Sequence, residues 1–151
     1  MKKLLCVWGA SNYGKTSSIM EFDSLLNQNF GKNILQIHSL GNSPDDIRRI
    51  YKIGKITIGI ESRGDPNSRQ KSSLSLFGKN NCDIIVCSSR TKGETIANVY
   101  NFCKRKGYDL YWISTIHSGS SSVFKQYGLQ ISQRNGQIIF DVVSDYINGK
   151  Y

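Results

Sequence analysis

The chain has 151 residues, which is the length of one domain, and its 38% of hydrophobic residues excludes a wholly disordered protein. Its formal net charge of +9 leaves two explanations open, a polyanionic partner such as nucleic acid or simply a basic surface. The apolar opening from Leu4 to Trp8 is too short for a signal-peptide core or a membrane span, so we expect a soluble, cytoplasmic protein without a membrane partner.

Predicted strands and helices alternate along the chain. The strands are expected at residues 3–8, 34–38, 55–61, 82–88 and 109–115. The helices are expected at residues 16–29, 45–53, 68–77, 91–106, 121–127 and 138–147. This alternation predicts a single α/β domain over residues 1–151, a three-layer αβα sandwich with a five-stranded, mostly parallel sheet.

Local signals mark several of the predicted boundaries. Ser43 with Asp46 and Thr91 with Glu94 have the spacing of capping boxes, and Asn135-Gly136 predicts a turn before the last helix. Two basic clusters, in residues 48–55 and 104–106, are expected at helix ends that face solvent.

The cysteines show no spacing typical of a disulfide or zinc framework. We therefore expect four buried free thiols, at Cys6, Cys82, Cys87 and Cys103.

The segment between the first predicted strand and helix reads G-A-S-N-Y-G-K-T. Gly9 and Gly14 permit a tight turn whose backbone N–H groups converge on an anion. In such a turn Lys15 reaches the β and γ phosphates of a nucleotide, and the Thr16 hydroxyl ligates a bridging Mg²⁺. The alternative is an ordinary glycine turn with a solvated lysine. The residues expected to bind the phosphates are Gly9, Ala10, Ser11, Asn12, Tyr13, Gly14, Lys15, Thr16 and Ser17.

This segment resembles the Walker A motif of the P-loop NTPase superfamily, and the close match covers residues 3–20. The resemblance implies nucleotide binding, a parallel sheet and a second acidic residue that orders Mg²⁺ at the end of another apolar strand. Glu61 is similar to that residue, although the superfamily more often has Asp there. The alternative is a carboxylate that simply ends a strand. The superfamily hosts several reactions, so the resemblance does not name one.

Polar residues continue along the expected carboxyl edge of the sheet, where open α/β folds bind ligands. Asp65 could accept a proton from a hydroxyl or help to hold Mg²⁺, and Arg63 or Arg69 could stabilise charge on a transferred phosphoryl group. For Asp65 the alternative is ordinary turn chemistry.

Ser88 and Arg90 end the fourth predicted strand. Their position resembles the sensor position of those P-loop ATPases that insert a strand between the phosphate-loop strand and the acidic strand. The candidate catalytic residues are thus Lys15, Glu61, Arg63, Asp65 and Arg90, and the candidate metal ligands are Thr16 and Glu61.

Three functions stay open at this point. The first is hydrolysis of ATP with Mg²⁺, coupled to a protein or nucleic-acid partner. The second is phosphorylation of a nucleoside, nucleotide or nucleic-acid end, with Asp65 as base, and the third is ATP-dependent nucleic-acid binding. Residues 91–106 leave no room for the lid of nucleoside monophosphate kinases, which favours hydrolysis. Cys87 to Arg90 does not resemble the guanine signature of GTPases, so we expect ATP.

Overall fold

The fold is taken from a computed structural model that describes residues 1–10, 13–41, 43–116 and 121–150. Two residues of the predicted phosphate loop, Ser11 and Asn12, lie outside these ranges. The strands are β1 (Lys2–Trp8), β2 (Ile34–Ser39), β3 (Arg48–Ile53), β4 (Ile56–Glu61), β5 (Ile84–Ser89) and β6 (Tyr108–Ser114). The α-helices are α1 (Lys15–Phe30), α2 (Gln70–Lys79), α3 (Glu94–Lys106) and α4 (Ser121–Ile147), and a short 3₁₀ helix (Gly31–Asn33) follows α1.

The described strands form a single sheet in the order β2-β3-β4-β5-β1-β6. Strands β4, β5, β1 and β6 are parallel, whereas β3 runs antiparallel to both β2 and β4. The α/β class is confirmed, but the predicted number of five strands is wrong, because the strands in the described residues number six. The sheet is mixed, and three of its five strand pairings are parallel, at β1–β5, β1–β6 and β4–β5. Strand β5, which contains the fourth predicted strand, lies between β1 and β4.

Helices cover both faces of the sheet. Side chains alternate along β1, so that Leu5 and Val7 pack in one core with α1 and α4, and Leu4 and Cys6 pack in the other with α2 and α3. A central strand that is buried on both faces reads as a continuous apolar run, which explains the pattern of residues 3–8.

The predicted helix at residues 45–53 is wrong, because residues 48–53 form β3. Ile50 and Tyr51 face opposite cores, so apolar side chains fall on both faces of β3 and imitate helical spacing. Gly54, with φ of 58°, and Lys55 make the tight turn to β4. Ser43 and Asp46 pair in an isolated bridge and do not form a capping box.

Most of the first basic cluster is therefore on a strand, and Arg48 and Arg49 are half-buried. The guanidinium of Arg49 forms an ion pair with Asp23 of α1, and the Tyr51 hydroxyl donates to the same carboxylate at 2.7 Å. Burial raises the pKa of Asp23 against the opposing effects of Tyr51 and Arg49. These contacts join α1 to β3. The second cluster, Lys104 to Lys106, is exposed at the end of α3 as predicted.

The two helices predicted at residues 121–127 and 138–147 are one continuous helix, α4. Gly136 lies inside it, where a Cβ atom would come within 2.6 Å of Glu21 on α1. The glycine therefore permits close packing of α4 on α1 and does not make a turn. The side chain of Asn135 bonds both backbone groups of Ile116, at 2.9 and 3.2 Å, and so fixes the segment after β6.

Three smaller expectations are settled as well. Helix α3 starts at Glu94 after Gly93, with no side-chain cap, so the capping box of Thr91 and Glu94 is not formed. The four cysteines are buried and free, as predicted. None of the described helices is long and apolar enough to cross a membrane.

Candidate functional site

The predicted phosphate loop connects β1 directly to α1. Gly14 has φ of 70° and ψ of 21°, a left-handed conformation that favours glycine, and it is the residue before the helix. Among the residues that the structure describes, no side chain caps this end of α1, and no acidic residue lies in its first turn. The first N–H groups of a helix have no intrahelical acceptor and carry partial positive charge, so this end of α1 suits an anion.

Lys15 is the first residue of α1 and is only 7% exposed. Its ammonium donates to the backbone carbonyl of Ala10 at 2.6 Å, which folds the side chain back over the loop. Burial holds the pKa of Lys15 below its usual value, the charge of Arg90 lowers it further, and Asp65 opposes this shift. A buried cation on a neutral carbonyl is poorly compensated, and an anion in the loop would compensate it.

Thr16 connects the loop to the end of β4. Its hydroxyl donates to the carbonyl of Ser62 at 3.3 Å. Ser62 directly follows Glu61, so the structure brings Thr16 to the backbone beside the predicted acidic residue. Ser17 is exposed one position further along α1.

Glu61 is completely buried. Its carboxylate accepts hydrogen bonds from Ser73 of α2 and from Arg69, the residue before this helix. One oxygen accepts from the backbone N–H of Arg63 at 2.8 Å, and the other accepts from Arg69 Nε at 2.9 Å and from the Ser73 hydroxyl. The ion pair with Arg69 compensates the buried charge. The structure thus holds Glu61 next to α2, and Thr16 contacts the following residue.

Asp65 and Arg90 form a second ion pair at the same edge. The Arg90 Nε donates to Asp65 at 2.7 Å, and the Asp65 side chain is 65% exposed. Arg90 lowers the pKa of Lys15 and Asp65 raises it, so both charges influence the Lys15 ammonium electrostatically. Arg63 instead donates to Asp46 at 2.7 Å, which draws its guanidinium towards the segment before β3.

Sequence reasoning missed the contacts that hold these strand ends together. The Ser88 hydroxyl donates to the Ser62 carbonyl at 2.7 Å, and the Ser62 hydroxyl accepts from the N–H of Ile47 at 2.9 Å. A Cβ atom on Gly64 would lie 2.3 Å from the Ser88 carbonyl oxygen, so only glycine fits there. The sequence signal for this close approach is Gly64, a glycine within the polar run that follows β4.

Several oxygen atoms, the type of ligand that a hard cation such as Mg²⁺ prefers, belong to residues at this edge of the sheet. The Thr16 hydroxyl and the Ser62 carbonyl are oxygens 3.3 Å apart, Glu61 is the last residue of β4, and Asp65 follows this strand. Among the described residues no three His, Cys, Asp or Glu side chains cluster as a metal cage. Magnesium bound through phosphates and water needs only one or two protein oxygens, so such a cage is not required.

Comparison of the chain with protein-family models, with curated proteins and with solved structures finds no match.

Proposed function

We propose that this chain binds ATP with Mg²⁺ at the loop from Gly9 to Thr16 and hydrolyses it, with the hydrolysis coupled to a partner. The observation that carries the proposal is Lys15. Its buried ammonium lies at the start of α1 and is held by a neutral carbonyl, and no side chain in the described part of the chain caps this helix end. A triphosphate would supply the missing negative charge and accept hydrogen bonds from both the lysine and the free N–H groups.

The strand order supports the same proposal. Strand β5, whose carboxyl end is polar, lies next to β1, the strand that leads into the loop. Strand β4, which ends at Glu61, lies two positions away from β1. This order is similar to that of the P-loop ATPases with an inserted strand. Arg90 follows β5 and lowers the pKa of Lys15, so in this proposal its positive charge would act on the γ-phosphate.

Thr16 and Glu61 are the residues that would hold Mg²⁺ or its water shell. When bound, the ion neutralises charge that develops on the phosphate oxygens. In this proposal Glu61 also orients the attacking water, and to do so it exchanges its bond with Arg69 for one with that water. Arg90 contributes positive charge, whereas Arg63 contributes from further away because it is paired with Asp46.

Hydrolysis is favoured over transfer to a small acceptor. Only residues 90–93 lie between β5 and α3, which is too few for a lid that would exclude water. The nucleic-acid alternative rests on charge alone, so nucleic acid enters the proposal as a candidate partner.

The test is equilibrium binding of ATP with Mg²⁺ to the wild-type chain and to Lys15→Ala. Loss of a charge-assisted contact should weaken binding about 10- to 100-fold. Lys32→Ala is the matched control, because Lys32 is an exposed lysine just after the other end of α1. Equal affinities of the wild-type chain and Lys15→Ala would remove the phosphate-binding role of the loop.

A further inference from the structure

A cavity of about 130 Å³ opens beside the proposed phosphate loop, at the carboxyl ends of β1 and β6. Its walls are formed by residues 8–10, Tyr13, Thr91 and residues 114–115. Gly9, Ala10 and Tyr13 belong to the loop itself, so the cavity and the proposed phosphate site share a wall. A ligand with its phosphates on the loop could therefore extend into the cavity.

Aromatic side chains hold this wall in place. The Trp8 ring packs edge-on against Trp112, with centroids 6.3 Å apart, and Trp112 packs against Tyr100 at 5.4 Å. Tyr13 lies over Gly9, where its side chain is 3.6 Å from the position of a Cβ atom. The hydroxyl of Thr115 donates to the Tyr13 carbonyl at 3.2 Å, which fixes the loop to the end of β6. The Trp8 ring is thus held by contact with a second tryptophan.

The volume of the cavity and the residues that line it indicate which kind of ligand it can bind. No charged side chain is among the described residues that line it, and the polar groups on its walls include the hydroxyls of Thr91 and Ser114. Sites for whole drug-sized ligands have volumes of about 300–1,000 Å³, so this one fits a single planar ring system. Tryptophan presents a π-face on which a nucleobase stacks.

We propose that this cavity is the base subsite of the bound nucleotide and that Trp8 stacks on the base. The inference rests on the proposed function, because the same ligand must place its phosphates on the loop. Stacking depends on the area of the rings, so purine nucleotides should bind more tightly than pyrimidine nucleotides.

The two tryptophans of the chain permit a direct test, because Trp8 and Trp112 contact each other. In a Trp112→Phe background, Trp8 is the sole tryptophan reporter. Addition of ATP should change its emission, whereas inorganic tripolyphosphate, which has the phosphates but no base, should leave the emission nearly unchanged. Calorimetry shows whether tripolyphosphate binds in the same sample.

The binding affinities of ATP and tripolyphosphate for Trp8 variants provide the second part of the test. Trp8→Ala should weaken ATP binding roughly 5- to 150-fold, leave tripolyphosphate binding within about twofold, and be largely rescued by Trp8→Phe. Equal losses for both ligands, or no loss for either, would overturn the base subsite while the phosphate loop stands. If neither ligand binds the wild-type chain, both the subsite and the proposed function fail.

Discussion

At the scale of residues, the site is a set of charges that compensate one another incompletely. Asp65 pairs with Arg90 and Glu61 with Arg69, but the acceptor of the Lys15 ammonium is a neutral carbonyl. An unpaired buried charge is expensive and is retained where a ligand completes it. This imbalance is the physical reason to assign anion binding to the loop.

Glu61 provides the sharpest test of the chemistry. Glu61→Gln keeps the size of the side chain but removes the charge that would hold the metal's water or accept a proton. We expect nucleotide binding to persist and turnover to fall about 10²-fold or more. The measurement is steady-state ATP hydrolysis, with binding determined on the same sample.

Glu94→Gln is the control for this substitution, because Glu94 is an exposed carboxylate in the first turn of α3. It should leave turnover unchanged. Since Glu61→Gln also leaves the Arg69 charge uncompensated, both variants are compared at a temperature where urea unfolding shows them to be folded. Turnover by Glu61→Gln at the wild-type rate would exclude Glu61 from the reaction.

The positions of Gly14 and Lys15 could be predicted because they depend on a few consecutive residues between one strand and one helix. The partners of Glu61 could not, since Arg69 and Ser73 reach it only after the chain has turned into α2. Likewise, the contact of Gly64 with Ser88 joins two different strand ends, and one sequence carries no record of that distance.

At the scale of elements, Gly136 of α4 shows that a glycine, which often marks a turn, can instead permit close packing of two helices. The position of Gly136 against Glu21 and the backbone N of Phe22 lets α1 and α4 approach closely. An added Cβ would lie 2.6 Å from Glu21 and 3.0 Å from Phe22 N, so the helices would have to separate.

Gly136→Ala should therefore destabilise the protein by about 1–3 kcal/mol, although alanine is the better helix former. Gly31→Ala is the control, because Gly31 at the end of α1 has right-handed helical dihedrals and open space around it. Its free energy of unfolding should stay the same or rise by up to about 1 kcal/mol. Urea unfolding compares the two, and a Gly136→Ala protein as stable as the wild type would contradict the packing argument.

Strand β3 marks where element prediction failed. The apolar residues of β3 pack in both cores, so their spacing is similar to that of a helix. Gly54, the glycine before Lys55, is the sequence signal for a hairpin. By contrast, the run of residues 3–8 and the helix after it were predicted correctly in type, because β1 is central and α1 has one apolar face.

At the scale of the whole molecule, the second basic cluster and the proposed phosphate loop lie at opposite ends of the parallel strands. Lys104 to Lys106 end α3 just before β6 begins, whereas the loop follows the carboxyl end of β1. The 13 residues of α3 span about 20 Å. A polyanion bound at this cluster would therefore be distant from the γ-phosphate, which suits a coupled partner better than a phosphate acceptor.

Incubation with γ-labelled ATP and Mg²⁺ tests most directly whether the chain hydrolyses ATP at the loop. The chain is incubated with pools of nucleosides, nucleotides and oligonucleotides, and the products are separated. We predict that the label appears in free phosphate and that Lys15→Ala abolishes its release. Label transferred to an acceptor, or release that does not depend on Lys15, would contradict the account.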